Sequence, residues 1–183
     1  EMGGLIGHFL DIAAIDAGMV QARLESFPME ILVREAAEAV RAQAALKSIQ
    51  VRMLLPETSS PARVDPAFAK EILANLLSNA LKFSPPGTAV TLRLQTQGHA
   101  VLVSVEDQGP GLTEEDKRRI FGRFARLTAQ PTGGEASVGL GLSIVKHMVE
   151  ACGGRIWVES AEGMGAAFHV AFVNAEAEVS EGR

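Results

Sequence analysis

The stretch Pro66-Ala67-Phe68-Ala69-Lys70-Glu71-Ile72-Leu73-Ala74-Asn75-Leu76-Leu77-Ser78-Asn79-Ala80-Leu81-Lys82-Phe83 decides the reading of this chain. Asp65 ahead of it offers an acceptor for free helix N–H groups, and Pro66 suits a first helical turn. Pro85-Pro86-Gly87 stops it, so the spacing predicts one helix from Pro66 to Phe83. Ile72, Leu73, Leu76, Leu77 and Leu81 make its buried face. Glu71, Asn75, Asn79 and Lys82 fall at i, i+4, i+8 and i+11, a single polar stripe. Asparagine is a weak helix former because its amide competes for backbone hydrogen bonds, so two of them in mid-helix cost ~1 kcal/mol relative to alanine. Such a stripe is either a solvated face or a site in which a neutral oxygen ligates Mg²⁺ beside a phosphate-binding lysine. Two asparagines and a lysine in register favour the site.

Upstream, residues 20–27 alternate weakly, as an edge strand would, and Pro28 opens a helix running to about Lys47. Its expected buried stripe is Ile31, Leu32, Ala36, Ala39 and Val40. Val51, Met53 and Leu55 read as a strand ended by Pro56, and residues 57–62 as a loop. Residues 2–17 carry a helical apolar rhythm stopped by Gly18, the expected end of a longer helix that packs on something else.

Downstream, residues 89–96 and 100–106 alternate on either side of Gly98-His99 and predict a hairpin. From residue 107 to 138 the pattern dissolves into Gly, Pro, Thr and charge, with one short helical turn near 114–124; this is the pattern of a lid. Residues 139–151 predict a helix ended by Gly153-Gly154, and 155–160 with 166–173 a closing strand pair around Gly163-Met164-Gly165. The polar tail from Asn174 is expected to fray. Together these elements predict an α/β two-layer sandwich: a mixed, mostly antiparallel sheet with about three helices on one face, preceded by a short helix.

Two glycine motifs add chemistry. Asp107-Gln108-Gly109-Pro110-Gly111 follows a strand directly, where glycines admit close approach and a carboxylate can accept from a base amino group; an ordinary turn reads the same. Gly139-Leu140-Gly141-Leu142 opens a helix whose free N–H groups and positive dipole end suit phosphate, although no P-loop lysine follows. Phe121 and Phe124 form either a detachable apolar anchor or part of the core. His8, His99, His147 and His169 lack metal-like spacing and read as structural, as does Cys152.

Composition narrows the rest. The chain has 183 residues, 17 Lys+Arg against 22 Asp+Glu (net charge −5), 47% hydrophobic and 21% charged residues. That suits one globular core and makes nucleic acid or an anionic membrane a poor main partner. A single cysteine excludes an intrachain disulfide, and no apolar run approaches the ~20 residues of a membrane span. No signal-peptide pattern opens the chain, so an intracellular protein is expected.

Taken in order, these segments resemble the catalytic ATP-binding domain of sensor histidine kinases, within the gyrase, Hsp90, histidine kinase and MutL ATPase superfamily with its Bergerat-type fold. Asn75 to Phe83 looks like the family's N box, Asp107 to Gly111 its first glycine box, and Ile120-Phe121-Gly122-Arg123-Phe124 its F box. Val138 to Val145 matches the second glycine box and Gly163 to Phe168 the last, so the match spans residues 28–173. Leu10 to Gly18 resembles the end of the dimerisation helix in these kinases.

The resemblance implies ATP and Mg²⁺ as ligands. Asn79 would hold the metal, with Asn75 and Lys82 supporting the phosphates and Phe83 beside the nucleotide. Asp107 would accept from the adenine amino group, with Gly109 and Gly111 giving it room. Gly139, Leu140, Gly141 and Leu142 would present the phosphate-binding helix start, and Arg123 or Arg126 would approach the γ-phosphate. Residues 1–18 would end a dimerisation helix, 19–175 would be the catalytic domain with a lid over about 112–138, and 176–183 a disordered tail. No histidine here is followed by an acidic residue and a later proline, the followers being Phe9, Ala100, Met148 and Val170, so the phosphoacceptor is expected outside this chain. Expected partners are the dimerisation and phosphoacceptor domain of the same protein, a response regulator, and a second copy in the full-length homodimer. Nucleic acid and membrane contact by this fragment are not expected, and the location is cytoplasmic whether or not the intact protein is membrane-anchored.

Two departures from the family pattern stand out. Ser137-Val138 replaces the usual Gly-Thr or Gly-Ser, and Ala167 stands where a hydroxyl near the adenine-binding aspartate is expected. They motivate an alternative, a degenerate kinase acting as a nucleotide-sensing or protein-binding module. ATPases and anti-sigma-type serine kinases of the superfamily carry a glutamate base where Asn75 stands, and an amide cannot take a proton, so the stripe favours the histidine kinase.

Overall fold

The computed structural model describes residues 21–122, 132 and 141–177. The elements run β1 (Glu25–Pro28), α1 (Met29–Leu46), β2 (Gln50–Leu54), β3 (Pro61–Val64), α2 (Pro66–Phe83), β4 (Ala89–Gln97), β5 (Ala100–Glu106), α3 (Glu114–Arg119), α4 (Gly141–Ala151), β6 (Arg155–Ser160) and β7 (Ala166–Asn174). The strands form one sheet in the order β1-β3-β7-β5-β4-β2, with β6 beside β7 on the edge that it shares with β3. Every pairing is antiparallel except β2 with β4.

One face of this sheet is covered, which the strand alternation dictates. On β7, Ala166, Phe168, Val170 and Phe172 turn inward; on β5, Val101, Val103 and Val105 do the same. The helices lie over them with α2 in the middle, packed against α1 on one side and α4 on the other. The predicted buried face of α2 is entirely inside, as Ile72, Leu73, Leu76, Leu77 and Leu81 are each at most 1% exposed. The architecture is therefore the expected two-layer α/β sandwich.

Three details differ from the sequence reading. The stripe of α1 is rotated: Met29, Leu32, Val33, Ala36, Ala37 and Ala44 are buried, while Ile31 is 45% exposed and Ala39 faces solvent. The steps between buried positions, three and four residues from Met29 onward, track one helical face better than the set centred on Ile31. Residues 61–64, half of them read as loop, form β3, bridging β1 and β7 with Ala62 and Val64 fully buried. Four residues with a proline show no readable alternation; pairing on both sides makes them a strand. The edge strand β1 covers residues 25–27 of the predicted 20–27 region and takes in Pro28, which is expected to open the helix and instead precedes it as its N-cap. The expected helix over 2–17 lies outside the described residues, and among the described residues no helix is long and apolar enough to cross a membrane.

Candidate functional site

The site is organised by the central helix. Asp65 caps α2 as its sequence position predicts: Oδ1 accepts from the N–H groups of Ala67 at 2.9 Å and Phe68 at 3.3 Å. Its second oxygen accepts from Arg23 N–H at 2.8 Å, which ties the chain entering β1 to the same helix. The polar stripe on α2 is half-buried at Glu71, Asn75, Asn79 and Lys82, in contrast to the flanking Ala74, which is exposed. Asn75 bends back along the helix and donates through Nδ2 to the Glu71 carbonyl at 3.0 Å and to Glu71 Oε1 at 2.8 Å. Its Oδ1 faces the start of α4, where a β-carbon on Gly141 would come within 3.1 Å. The glycine is thus what allows α4 to begin directly against the amide stripe. Asn79 lies one turn further along the same stripe, half-buried.

The carboxylate of Asp107 is fixed at the end of β5. Its backbone N–H extends the ladder by donating to Ala166 O at 2.8 Å, and Oδ1 accepts from Gly109 N–H at 2.8 Å and Ala166 N–H at 3.2 Å. Both donors use Oδ1, so Oδ2 is the oxygen left for an incoming donor. Burial pushes the Asp107 carboxyl above the usual aspartate value, with the two backbone N–H groups opposing that rise. Gly109 is wedged between this carboxylate and α2, since a β-carbon there would lie 2.9 Å from both Asp107 Oδ1 and Phe83 O. Phe83 is therefore brought to the same place as Asp107 and Gly109.

A second layer, invisible in the motif reading, holds these loops. Gly163 N–H donates to Pro110 O at 2.7 Å, joining the first glycine loop to the β6–β7 turn. Ser160 Oγ donates to Gly165 O at 2.6 Å and accepts from Leu112 N–H at 2.9 Å. Gly111 and Gly165 both adopt positive φ, and a β-carbon on either would collide with the facing carbonyl, that of Ala161 or Asp107 respectively. Ser160 carries no motif signal because its role is set by pairing between β6 and β7.

Leu112 and Ile120, inside the span expected to form a lid, are buried in the core. Between them, Thr113 caps the short α3 by accepting from Asp116 N–H at 3.1 Å. Phe121 packs edge-on against Phe168, ring centres 6.4 Å apart. Further along, Thr132 N–H donates to Lys82 O at 2.9 Å, and Lys47 Nζ reaches Leu81 O at 2.7 Å and Thr132 Oγ1 at 3.0 Å. Leu142, next to Gly141, is half-buried at the start of α4. Arg123, Phe124, Arg126, Ser137, Val138, Gly139 and Leu140 lie outside the described residues.

Ala167 corrects one expectation. Strand alternation turns it to the open face of the sheet, opposite Glu106 and Glu159; the residue beside Asp107 is Ala166. The histidine reading fits for His169, whose Nδ1 lies 2.7 Å from Ser104 Oγ and whose ring stacks on Trp157 at 5.1 Å. Cys152 is buried, and burial raises its thiol further from reactivity. Among the described residues no group of three or more His, Cys, Asp or Glu can hold a metal. Asn75 and Asn79 place neutral amides on the stripe of α2, a donor type that suits a hard cation arriving with phosphate ligands of its own.

Residues 64–176 match the family model described as histidine kinase-, DNA gyrase B- and HSP90-like ATPase. The circadian input-output histidine kinase CikA of Synechococcus elongatus is 33% identical over 168 residues, 91% of this chain and 22% of that protein. Among solved structures, full-length ShkA in complex with AMPPNP superposes with a TM-score of 0.81 at 30% identity, covering 94% of this chain and 36% of ShkA. The mycobacterial sensor histidine kinase MprB gives 0.71 at 29% identity, covering 82% of this chain and 97% of the MprB chain. The chain spans less than half the length of the curated relatives CikA and SasA that it matches.

Proposed function

The chain belongs to the histidine kinase-, DNA gyrase B- and HSP90-like ATPase family, and from that premise we propose that it is the ATP-binding catalytic domain of a two-component sensor histidine kinase. It transfers the γ-phosphoryl group of Mg-ATP to a histidine outside this chain. The observation that carries this reading is the meeting of the amide stripe of α2 with the glycine-started α4, together with a half-buried carboxylate, one oxygen uncommitted, held near the end of α2 through Gly109. An ATPase of this superfamily that uses a glutamate base would need a carboxylate where Asn75 stands. Here the carboxylate on the same stripe of α2, Glu71, is bonded to the Asn75 amide.

In this reading Asp107 Oδ2 accepts from the purine amino group, and the Gly109 and Gly111 backbone lets the base lie close. Asn79 would hold Mg²⁺, with Asn75 and Lys82 on the phosphate side, and the ion would supply neutralisation of phosphate charge. The N–H groups from Gly139 to Leu142 meet the phosphates at the positive end of α4. Arg123 or Arg126 approaches the γ-phosphate from the lid. No base is required of this domain, because the attacking imidazole nitrogen is itself the nucleophile; positioning and charge neutralisation do the rest. Residues 1–18 are assigned to the end of a dimerisation helix, 19–175 to the catalytic domain with its lid over about 112–138, and 176–183 to the tail. The partners are the phosphoacceptor helices of the same protein, its second copy and a response regulator, and the domain works in the cytoplasm.

The degenerate-module alternative rests on Val138 and on the missing hydroxyl beside the carboxylate, a place that Ala166 and not Ala167 occupies; the similarity to sensor histidine kinases favours the catalytic reading over it. Incubating the chain with γ-labelled ATP and a separately supplied dimeric helical hairpin bearing a His-Glu/Asp-x-x-x-Pro segment tests the reading. Acid-labile label on the hairpin histidine is the expected result; label transfer only to water would mean an ATPase.

A further inference from the structure

We propose that Glu71 is a positioning residue of the nucleotide site, locking the Asn75 amide in the one orientation that turns Oδ1 toward α4. The proposal rests on the reading above, in which Mg-ATP binds where α2 and α4 meet. A primary amide has two N–H donors, and both Asn75 donors are spent on one residue: the Glu71 carbonyl at 3.0 Å and Glu71 Oε1 at 2.8 Å. Both partners are acceptors. Flipping the amide would set Oδ1 against two oxygens and turn the NH₂ group toward Gly141. The i, i+4 spacing on α2 puts the carboxylate within reach without distorting the helix.

The consequence lies at the other end of the amide. Oδ1 points to the place where a β-carbon of Gly141 would come within 3.1 Å, so the group presented to the start of α4 is an acceptor. An acceptor there orients the water shell of a hydrated cation, whereas an NH₂ group would oppose the cation. Glu71 thereby sets the polarity of a surface it does not itself touch. Lys70, beside it in sequence, pairs instead with Glu35 of α1 and takes no part.

Three substitutions separate positioning from charge. E71Q keeps an oxygen that can accept from Asn75 Nδ2 and is expected to retain most Mg-ATP affinity. E71A removes one of the two acceptors and is expected to weaken Mg-ATP binding about tenfold, the worth of a charge-assisted hydrogen bond, while metal-free ADP binding stays unchanged. E71K, which presents a donor in place of an acceptor, is expected to lose more than E71A. Adding E71A to N75A should cost nothing further. The second readout needs no nucleotide: exchange of the Asn75 side-chain amide protons, followed by NMR, should be slow in the wild type and E71Q and fast in E71A. Equal exchange in wild type and E71A, E71Q behaving like E71A, or additive effects of E71A and N75A would each overturn the proposal. A wild-type chain that binds no Mg-ATP but whose Asn75 exchange depends on Glu71 would uphold the positioning and overturn the nucleotide reading beneath it.

Discussion

Asn75 Oδ1 and Gly141 meet so closely across the α2–α4 contact that no β-carbon fits between them without movement, the ideal position being 3.1 Å from the oxygen. Asn75 cannot swing aside freely, because its amide is bonded twice to Glu71. Gly141→Ala is therefore expected to cost about 1–2 kcal/mol of crowding, partly offset by the better helix propensity of alanine. In an N75A background the crowding disappears and the same substitution becomes neutral or stabilising. Denaturant unfolding of the four proteins checks this; a coupling below about 0.5 kcal/mol would show that the contact does not constrain the site.

Asp107 holds a charge where burial opposes it. Its folded pKa lies above the ordinary value, so this group favours the folded state fully below the unfolded pKa, and that advantage is lost as pH rises through the folded pKa. At neutral pH the buried charge is a cost of the ligand-free chain. Asp107→Asn keeps an oxygen for Gly109 N–H and Ala166 N–H, removes the charge, and is expected to raise Tm near neutral pH. The same substitution should weaken ATP binding about tenfold and blunt discrimination against GTP. Wild-type affinity should fall on acidification, as Asp107 protonates, and the Asp107→Asn protein should lack that acid limb. Melting curves and nucleotide titrations across pH measure both signs.

Ser160 joins the two glycine loops, accepting from Leu112 N–H and donating to Gly165 O. Ser160→Ala leaves the Leu112 N–H, at a half-buried point, without its acceptor and should destabilise the chain by about 1–3 kcal/mol. Because those loops seat Asp107, nucleotide affinity should fall as well, which Ser160→Thr, retaining the hydroxyl, should partly restore. Loss of stability with unchanged affinity in Ser160→Ala would separate the loops from the site.

Asp65→Ala removes the cap of the helix that carries the amide stripe, together with the tie to Arg23 N–H. A loss of about 1–2 kcal/mol is expected from urea unfolding. The acid limb of ATP binding assigned to Asp107 should persist unaltered in this variant, so the two aspartates are distinguishable by pH profile.

The central helix was legible because its cap, its leucines and its asparagines all repeat at helical spacing, and each states the same face. The hairpin at Gly98-His99 and the closing pair β6–β7 were legible for the parallel reason, alternation bounded by glycine. What local pattern could not state was anything fixed by partners distant in sequence. β3 became a strand only through β1 and β7, and Ile31 lost its place in the core to Val33 because α1 turns by the contact it makes with α2. At the site, Asn75, Asn79 and Asp107 announced themselves through unusual residue types in unusual places. Ser160 and Glu71 did not, since a serine ending a strand and a glutamate on a helix are ordinary until their partners are known. The misplacement of the aspartate's neighbour from Ala166 to Ala167 was a one-residue register error, and on a strand one residue exchanges the two faces.

The central claim is that a magnesium-bound adenine nucleotide lies between the amide stripe and α4, with its base on Asp107. Calorimetric titration of ATP and GTP into this chain, with and without Mg²⁺, tests it most directly when run on the wild type, Asn79→Ala and Asp107→Asn together. The account predicts saturable, Mg²⁺-dependent binding that prefers ATP, with the metal dependence lost in Asn79→Ala and the base preference lost in Asp107→Asn. Absence of wild-type binding at millimolar nucleotide, or an Asn79→Ala protein whose Mg²⁺ dependence is intact, would contradict it.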